Sequence, residues 1–317
     1  MDKRKLGNTD LLVSPITFGG NVFGWTLDEN KSFEILDGLV ASDFNFIDTA
    51  DVYSRWVGGN EGGESEKIIG KWMKSRNNRN RIILATKVGS DMGNGKKGLS
   101  KKYILEAVDA SLSRLQTDYI DLYQSHYDDP ETPVEETLEA YDQLIRAGKV
   151  RWIGASNFSA DRLNESLMAS QRLSLPKYQS FQPEYNLYKR EGFEKETEQI
   201  CLENQVGVIG YFSLASGFLT GKYRTAADFG KSPRGSGVKD MMNDKGFKIL
   251  KALDEVSEQY NSSPASVALA WLISRPSVTA PIASVTSLLQ LEDLTRATTL
   301  KLNTEDIAIL DEASDWE

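Results

Sequence analysis

The chain has almost no cysteine and almost no histidine: one of each, Cys201 and His126, in 317 residues. A single thiol excludes an intrachain disulfide and suits a reducing compartment. One histidine and one cysteine could hardly build a zinc site, so no metal is expected. Basic charge is also short, with 37 lysines and arginines against 46 aspartates and glutamates, a net charge of −9. A nucleic-acid surface needs a basic stripe that displaces counterions from phosphates. The densest basic stretch, Lys96-Lys97 with Lys101-Lys102, is broken by Gly98, Leu99 and Ser100 and reads as a solvated loop entering a helix. Long apolar runs are missing too. The least polar stretch, Val206 to Leu219, is too short for a bilayer. The opening MDKRKLGNTDLLV lacks the apolar core and cleavage site of a secretory signal. These absences predict a cytoplasmic protein with neither nucleic-acid nor membrane partners.

What is present is an ordinary globular balance, 40% hydrophobic and 26% charged, enough for a sizeable core. Short β-rich apolar runs lie at 16–20, 45–50, 82–88, 119–126, 150–156, 180–186, 206–213 and 279–284. Amphipathic stretches follow near 31–42, 64–75, 101–114, 133–147, 159–170, 191–204, 244–260 and 303–314. Ser100, Thr132 and Ser159 are expected N-caps, Pro133 a first helical residue, and Gly148 a helix stop. Eight strand–helix alternations without a composition break predict an α/β fold, a single (β/α)8 TIM barrel domain over residues 1–317. Lys3 to Val13, around Gly7-Asn8, is expected to form a short N-terminal hairpin closing the barrel bottom. The longest irregular segment, Thr220 to Asn243, has the length of a functional flap.

Barrel chemistry sits at the carboxyl ends of the strands. Three consecutive strand candidates end in Ile47-Asp48-Thr49, Thr86-Lys87 and Ser125-His126, and Tyr53 stands in the loop after Asp48. Singly, each is an ordinary residue: an aspartate that caps a turn, a tyrosine in a core, a satisfied structural histidine. Together they predict four groups converging on one mouth. An ammonium inside a barrel needs a partner, and Asp48 is the obvious one for Lys87. A phenol beside that ammonium is expected to have its pKa lowered from about 10, which would make Tyr53 a general acid. His126 would hydrogen-bond and orient a carbonyl oxygen.

The segments FIDTADVY (46–53), LATKV (84–88), DYIDLYQSH (118–126), IGASNF (153–158), QPEYNL (182–187) and SLASGFLTGKY (213–223) occur in this order along nearly the whole chain. In this the sequence resembles the aldo-keto reductases, particularly their bacterial branch and the related potassium-channel β subunits. The resemblance implies that Asp48, Tyr53, Lys87 and His126 form a catalytic tetrad. It implies NAD(P)H-dependent reduction of aldehydes or ketones, with the dinucleotide held on the barrel. No GxGxxG opens a helix after a strand, as it would in a Rossmann domain. By the same resemblance, Ser156, Asn157 and Gln182 hold the nicotinamide carboxamide and Tyr211 stacks on its ring. Ser213, Leu214, Ser216 and Lys222 contact the pyrophosphate. NADPH is the expected cofactor, with NADH as the alternative.

Two departures stand out. The family segment Tyr-Ser-Pro-Leu is here Tyr211-Phe212-Ser213-Leu214, which is expected to loosen the turn and removes a hydroxyl. The stretch 281–294 carries no basic residue for an adenosine 2′-phosphate. Ser284, Thr286 and Gln290 are left to hydrogen-bond it, Asp293 to reach adenine, and Arg234 is a candidate for the missing charge. Phe23, Trp25, Trp56 and Tyr127 fall in mouth loops and suggest an apolar pocket for a small carbonyl substrate, with loop packing the alternative. Two other functions stay open: a regulatory subunit that binds cofactor with little turnover, and a barrel hydrolase or isomerase using paired carboxylates, for which Glu184 is the clear extra acid. Nothing in the sequence announces an oligomer, and a monomer suffices.

Overall fold

The computed structural model describes residues 1–316. Two short antiparallel strands, β1 (Arg4–Lys5) and β2 (Leu12–Val13), form the expected hairpin. Eight parallel strands follow: β3 (Thr17–Gly19), β4 (Phe46–Asp48), β5 (Ile83–Val88), β6 (Ile120–Ser125), β7 (Val150–Ser156), β8 (Ser180–Gln182), β9 (Gly207–Val208) and β10 (Ile282–Ala283). Each neighbours the next in the chain, and β10 pairs with β3. The two ends of the sheet meet where Thr279 N donates to Val208 O and Ile282 N to Gly210 O, both at 2.8 Å. The sheet thus closes into a (β/α)8 barrel.

Side chains along a strand alternate in direction, so residues two apart share a face. Phe46, Ala85 and Leu122 pack in one buried cluster with Leu6, Leu11 and Val13 of the hairpin. The hairpin therefore plugs the amino-terminal end of the cylinder with apolar side chains. Two residues further along the same strands stand Asp48, Lys87 and Gln124. The same alternation that fills the bottom with carbon thus delivers polar groups to the mouth. Gly154 of β7 makes room for them: a Cβ there would lie 2.1 Å from Ser180 Oγ and 3.1 Å from Gln124 Cγ.

Helices α1 (Glu29–Ala41), α2 (Glu64–Arg76), α3 (Lys101–Leu115), α4 (Val134–Arg146) and α5 (Ala160–Leu173) connect the first strands. The 191–204 segment, expected as one helix, is broken at Thr197 into α6 (Glu191–Glu196) and α7 (Glu198–Glu203). α8 (Asp244–Gln259), α9 (Pro264–Ser274), α10 (Leu288–Thr299) and α11 (Thr304–Ala313) complete the chain. Ser100 and Ser159 accept from Tyr103 N and Arg162 N and cap their helices as expected. Thr132 does not. Its hydroxyl donates to Asp129 Oδ2 at 2.7 Å, and the extended Pro133 (ψ 140°) takes the cap position, so α4 starts at Val134. Helices α9 and α10 were not foreseen. Eight residues of α9 are buried, Ala265 to Leu272 without interruption, so it shows no polar face and no helical period to read. No helix among the described residues is long and apolar enough to cross a membrane.

Candidate active site

Lys87 is completely buried, and its ammonium finds an acceptor for each of its three donors. Asp48 Oδ2 lies at 2.5 Å, the Thr49 carbonyl at 2.9 Å and the Tyr53 hydroxyl oxygen at 3.3 Å. The second carboxylate oxygen of Asp48 accepts from Gln124 Nε2 at 2.9 Å and Gln182 Nε2 at 3.2 Å. A buried ion pair is tolerable only when its remaining lone pairs and protons are satisfied, and here they are. Burial works against the Lys87 charge, but Asp48 and then Tyr53 outweigh it and hold its pKa above the ordinary value. The lysine stays an ammonium.

The effect on Tyr53 differs from the sequence expectation. Burial pushes its phenol above the ordinary value, Lys87 pulls it down, and Asp48 pushes it up again; the net shift is upward. The expected acidification is therefore outweighed by burial. The phenol is protonated at neutral pH, and because its oxygen accepts from Lys87, its own O–H remains free to donate.

His126 follows β6, and its ring stands edge-on to Tyr53 with centroids 5.8 Å apart. Burial first, and Lys87 second, hold its imidazole well below the ordinary pKa, so the ring is neutral. Ser90 Oγ lies 2.8 Å from its Nδ1. Trp56 packs edge-on to both Tyr53 and Trp25, and Tyr127 stacks on His126 at 4.9 Å. Trp56 and Tyr127 are about half exposed, so an aromatic rim surrounds the phenol. Phe23 is not part of it; it is fully buried and stacks on Phe18 at 5.5 Å.

A second polar group adjoins the first. Asn157 Nδ2 donates to the His126 carbonyl and to Ser156 Oγ, Ser156 Oγ donates to the Gln182 carbonyl, and Tyr211 OH donates to Asn157 Oδ1. Gln182 Nε2 also reaches Gln124 Oε1, so Ser156, Asn157, Gln182 and Tyr211 are tied to the Asp48 network by continuous hydrogen bonds. The turn after Tyr211, which has no proline, carries three hydrogen bonds. Ser213 Oγ donates to Gly210 O, Ala215 N to Phe212 O, and Asn186 Nδ2 to Phe212 O. Leu214 and Ser216 follow in this turn, Ser216 with a left-handed φ of 57°, and Lys222 lies beyond with its ammonium 5.1 Å from the Tyr223 ring.

The remaining predicted residues follow β10, in the loop after it and in α10. Ser284 Oγ donates to the Gly19 carbonyl. Thr286 and Gln290 bond to each other. Asp293 accepts from Ser263 and Ser266 and so ties α10 to the start of α9, which gives its carboxylate a structural task. The Thr220–Asn243 segment is ordered into two short turns of 3₁₀-helix, 226–231 and 235–241. Between them Arg234 lies over the Trp25 ring at 5.1 Å, and its Nη2 meets the Asn21 amide oxygen at 2.9 Å in the amide orientation that satisfies Gly19 and Ser284 as well. This loop therefore reaches back to the end of β3.

Sequence reasoning missed Gln124, Asn21 and Ser90. Gln124 could have been found, since it lies two residues before His126 and opposite Lys87 in register. Asn21 lies in a 3₁₀ turn, Gly20–Val22, and Ser90 in a loop, and no periodicity marks either.

Behind the site, Asp51 is buried, and among the described residues neither of its carboxylate oxygens has a hydrogen-bond partner. Burial, and then Glu66, push its carboxyl well above the ordinary range, with Arg114 pulling the other way. The unfolded chain releases this proton at lower pH than the folded one, so stability is lost as pH rises above the ordinary carboxyl value. Asp51→Asn, which cannot ionise, is expected to stabilise the protein by about 1–2 kcal/mol near pH 8 and by less near pH 5. Urea denaturation at the two pH values checks this; an equal effect at both would contradict it.

The family model described as "Aldo/keto reductase family" matches residues 15–315. "Aldo-keto reductase YhdN" of Bacillus subtilis is 34% identical, the match covering 96% of this chain and 91% of that protein. "Uncharacterized oxidoreductase YrpG" of the same organism is 33% identical over 98% of this chain and 95% of its own length. An Arabidopsis thaliana protein named "Probable voltage-gated potassium channel subunit beta" is 32% identical over 94% of this chain and 91% of its own. With a closed barrel carrying this polar mouth, and a family match over almost its whole length, the chain belongs to the aldo/keto reductase family.

Proposed function

We propose that this protein is a cytoplasmic NADPH-dependent carbonyl reductase, with NADH as the alternative cofactor, and that residues 1–317 work as one barrel domain. The observation that carries this reading is the Lys87 ammonium bonded to a phenol oxygen whose own proton is free. When bound, the dihydronicotinamide would supply hydride to the carbonyl carbon. Tyr53 gives its proton to the carbonyl oxygen, and Lys87 stabilises the phenolate left behind. Asp48 holds the lysine, and neutral His126 orients the carbonyl oxygen. The aromatic rim of Trp25, Trp56 and Tyr127 suits a small apolar aldehyde or ketone.

The donor set fits the cofactor. Ser156, Asn157 and Gln182 are linked amide and hydroxyl groups of the kind that would hold a carboxamide, and Tyr211, bonded to Asn157, would stack on the nicotinamide ring. Ser213, Leu214, Ser216 and Lys222 would take the pyrophosphate, and Ser284, Thr286 and Gln290 the adenosine end. Asp293 binds Ser263 through Oδ1, and its second carboxylate oxygen would be the one to meet adenine. Arg234 is the nearby cation that would offset phosphate charge. Arg234→Ala is expected to weaken NADPH binding about 10- to 100-fold, the worth of a charge-assisted contact, and NADH binding less. Fluorescence titration with each cofactor measures this; unchanged NADPH affinity would remove Arg234 from the site.

The similarity to a plant protein named as a channel β subunit supports a second reading, a cofactor-binding regulatory subunit with little turnover. The free phenol proton beside a buried ammonium favours catalysis. Incubating the purified protein with NADPH or NADH and a panel of aldehydes, and following nicotinamide absorbance, separates the two. Consumption of cofactor with alcohol formation is expected; cofactor binding without turnover on any member of the panel would favour the regulatory reading.

A further inference from the structure

His126 is the chain's only histidine, and among the described residues only one of its two ring nitrogens has a partner. That partner is Ser90, which stands in the loop after β5, three residues beyond Lys87. Gly89 turns the chain there with a φ of 113°, a conformation that L side chains rarely adopt. The turn brings the Ser90 hydroxyl, itself only 8% exposed, to 2.8 Å from Nδ1.

A neutral imidazole has one N–H and one bare nitrogen, and the two possible arrangements differ in what reaches the mouth. If Nδ1–H donates to Ser90, the serine proton must find another acceptor, and among the described residues Ser90 Oγ has none. A buried hydroxyl would then be left undonated, which is unfavourable. If Ser90 donates to a bare Nδ1, the hydroxyl is satisfied and the ring proton sits on Nε2, which is left to donate to water or substrate at the mouth. The ring plane is fixed independently, by Tyr127 stacked at 4.9 Å and 17° and by the Tyr53 edge at 5.8 Å.

We propose that Ser90 is a positioning residue that selects the Nε2–H tautomer of His126 and so makes the imidazole a hydrogen-bond donor toward the mouth. Under the proposed function this donor meets the substrate's carbonyl oxygen, where a bare Nε2 would oppose it lone pair to lone pair. The role in reduction rests on that reading; the tautomer does not.

With a single histidine, selective 15N-histidine labelling yields one imidazole spectrum, in which protonated and bare nitrogens resonate far apart. It would be recorded near pH 8, above the ordinary imidazole pKa of about 6.5. Wild type is expected to show a proton on Nε2 and a hydrogen-bonded bare Nδ1. Ser90→Ala is expected to shift the Nδ1 resonance and lower the Nε2–H to Nδ1–H ratio about 3- to 10-fold, the worth of one net hydrogen bond. Ser90→Thr, which keeps the hydroxyl, should restore the wild-type spectrum, and kcat for an aldehyde should follow the tautomer ratio with little change in cofactor affinity. A proton on Nδ1 in wild type, or an unchanged spectrum in Ser90→Ala, overturns the proposal. Should Ser90→Ala not fold, the wild-type and Ser90→Thr spectra still decide it. Failure of the carbonyl-reductase reading appears elsewhere, as absence of turnover in wild type, and leaves the spectra as they are.

Discussion

Tyr53→Phe is expected to lower kcat for carbonyl reduction by about 10²- to 10⁴-fold, the contribution of a positioned general acid, with cofactor affinity unchanged. The substitution removes one oxygen and keeps the ring, so the edge contacts with Trp56 and His126 survive. It also removes one of the three acceptors of Lys87, but Asp48 and the Thr49 carbonyl remain, so the ammonium stays paired. The loss therefore falls on proton delivery. Steady-state kinetics with NADPH and an aldehyde, beside a cofactor titration, separate the two effects. A parallel loss of cofactor affinity would mean that the hydroxyl serves cofactor binding as well as proton delivery.

Lys87→Met should combine loss of activity with loss of stability. Asp48 is almost fully buried, and without the ammonium its carboxylate keeps only the amide donors of Gln124 and Gln182. Breaking a buried pair from one side costs about 3–5 kcal/mol, because the surviving charge is left uncompensated. Adding Asp48→Asn removes that charge and is expected to recover most of the stability and none of the activity. Urea denaturation of the single and double variants measures the difference. If Lys87→Met alone were as stable as wild type, the pair would not be the buried, fully bonded unit described above.

The barrel was legible because its strands are short apolar runs separated by amphipathic stretches, and all eight lie where that pattern places them. The hidden elements are those where the pattern fails physically. α9 is buried along nearly its whole length, so it offers no polar face. Thr197 interrupts a stretch that reads as one helix. At the mouth, Asp48, Lys87 and His126 were legible as strand ends, since direction alternates along a strand. The direction of the Tyr53 shift was not, because it depends on burial competing with two nearby charges. For Phe23 the loop-packing alternative holds, because an aromatic in a loop after a strand can turn inward as readily as outward. Ser90 meets His126 only through the turn at Gly89, a contact between residues 36 positions apart. Asp293 shows the opposite limit, because its bonds to Ser263 and Ser266 depend on a helix that the sequence did not reveal.

The most direct measurement of the central claim uses dihydronicotinamide carrying deuterium at the transferred position, with an aldehyde and the wild-type or Tyr53→Phe protein. Mass spectrometry of the product is expected to find deuterium on the former carbonyl carbon with wild type and almost none with the variant. Equal amounts of labelled alcohol from both proteins would contradict the assignment of Tyr53 as the proton donor.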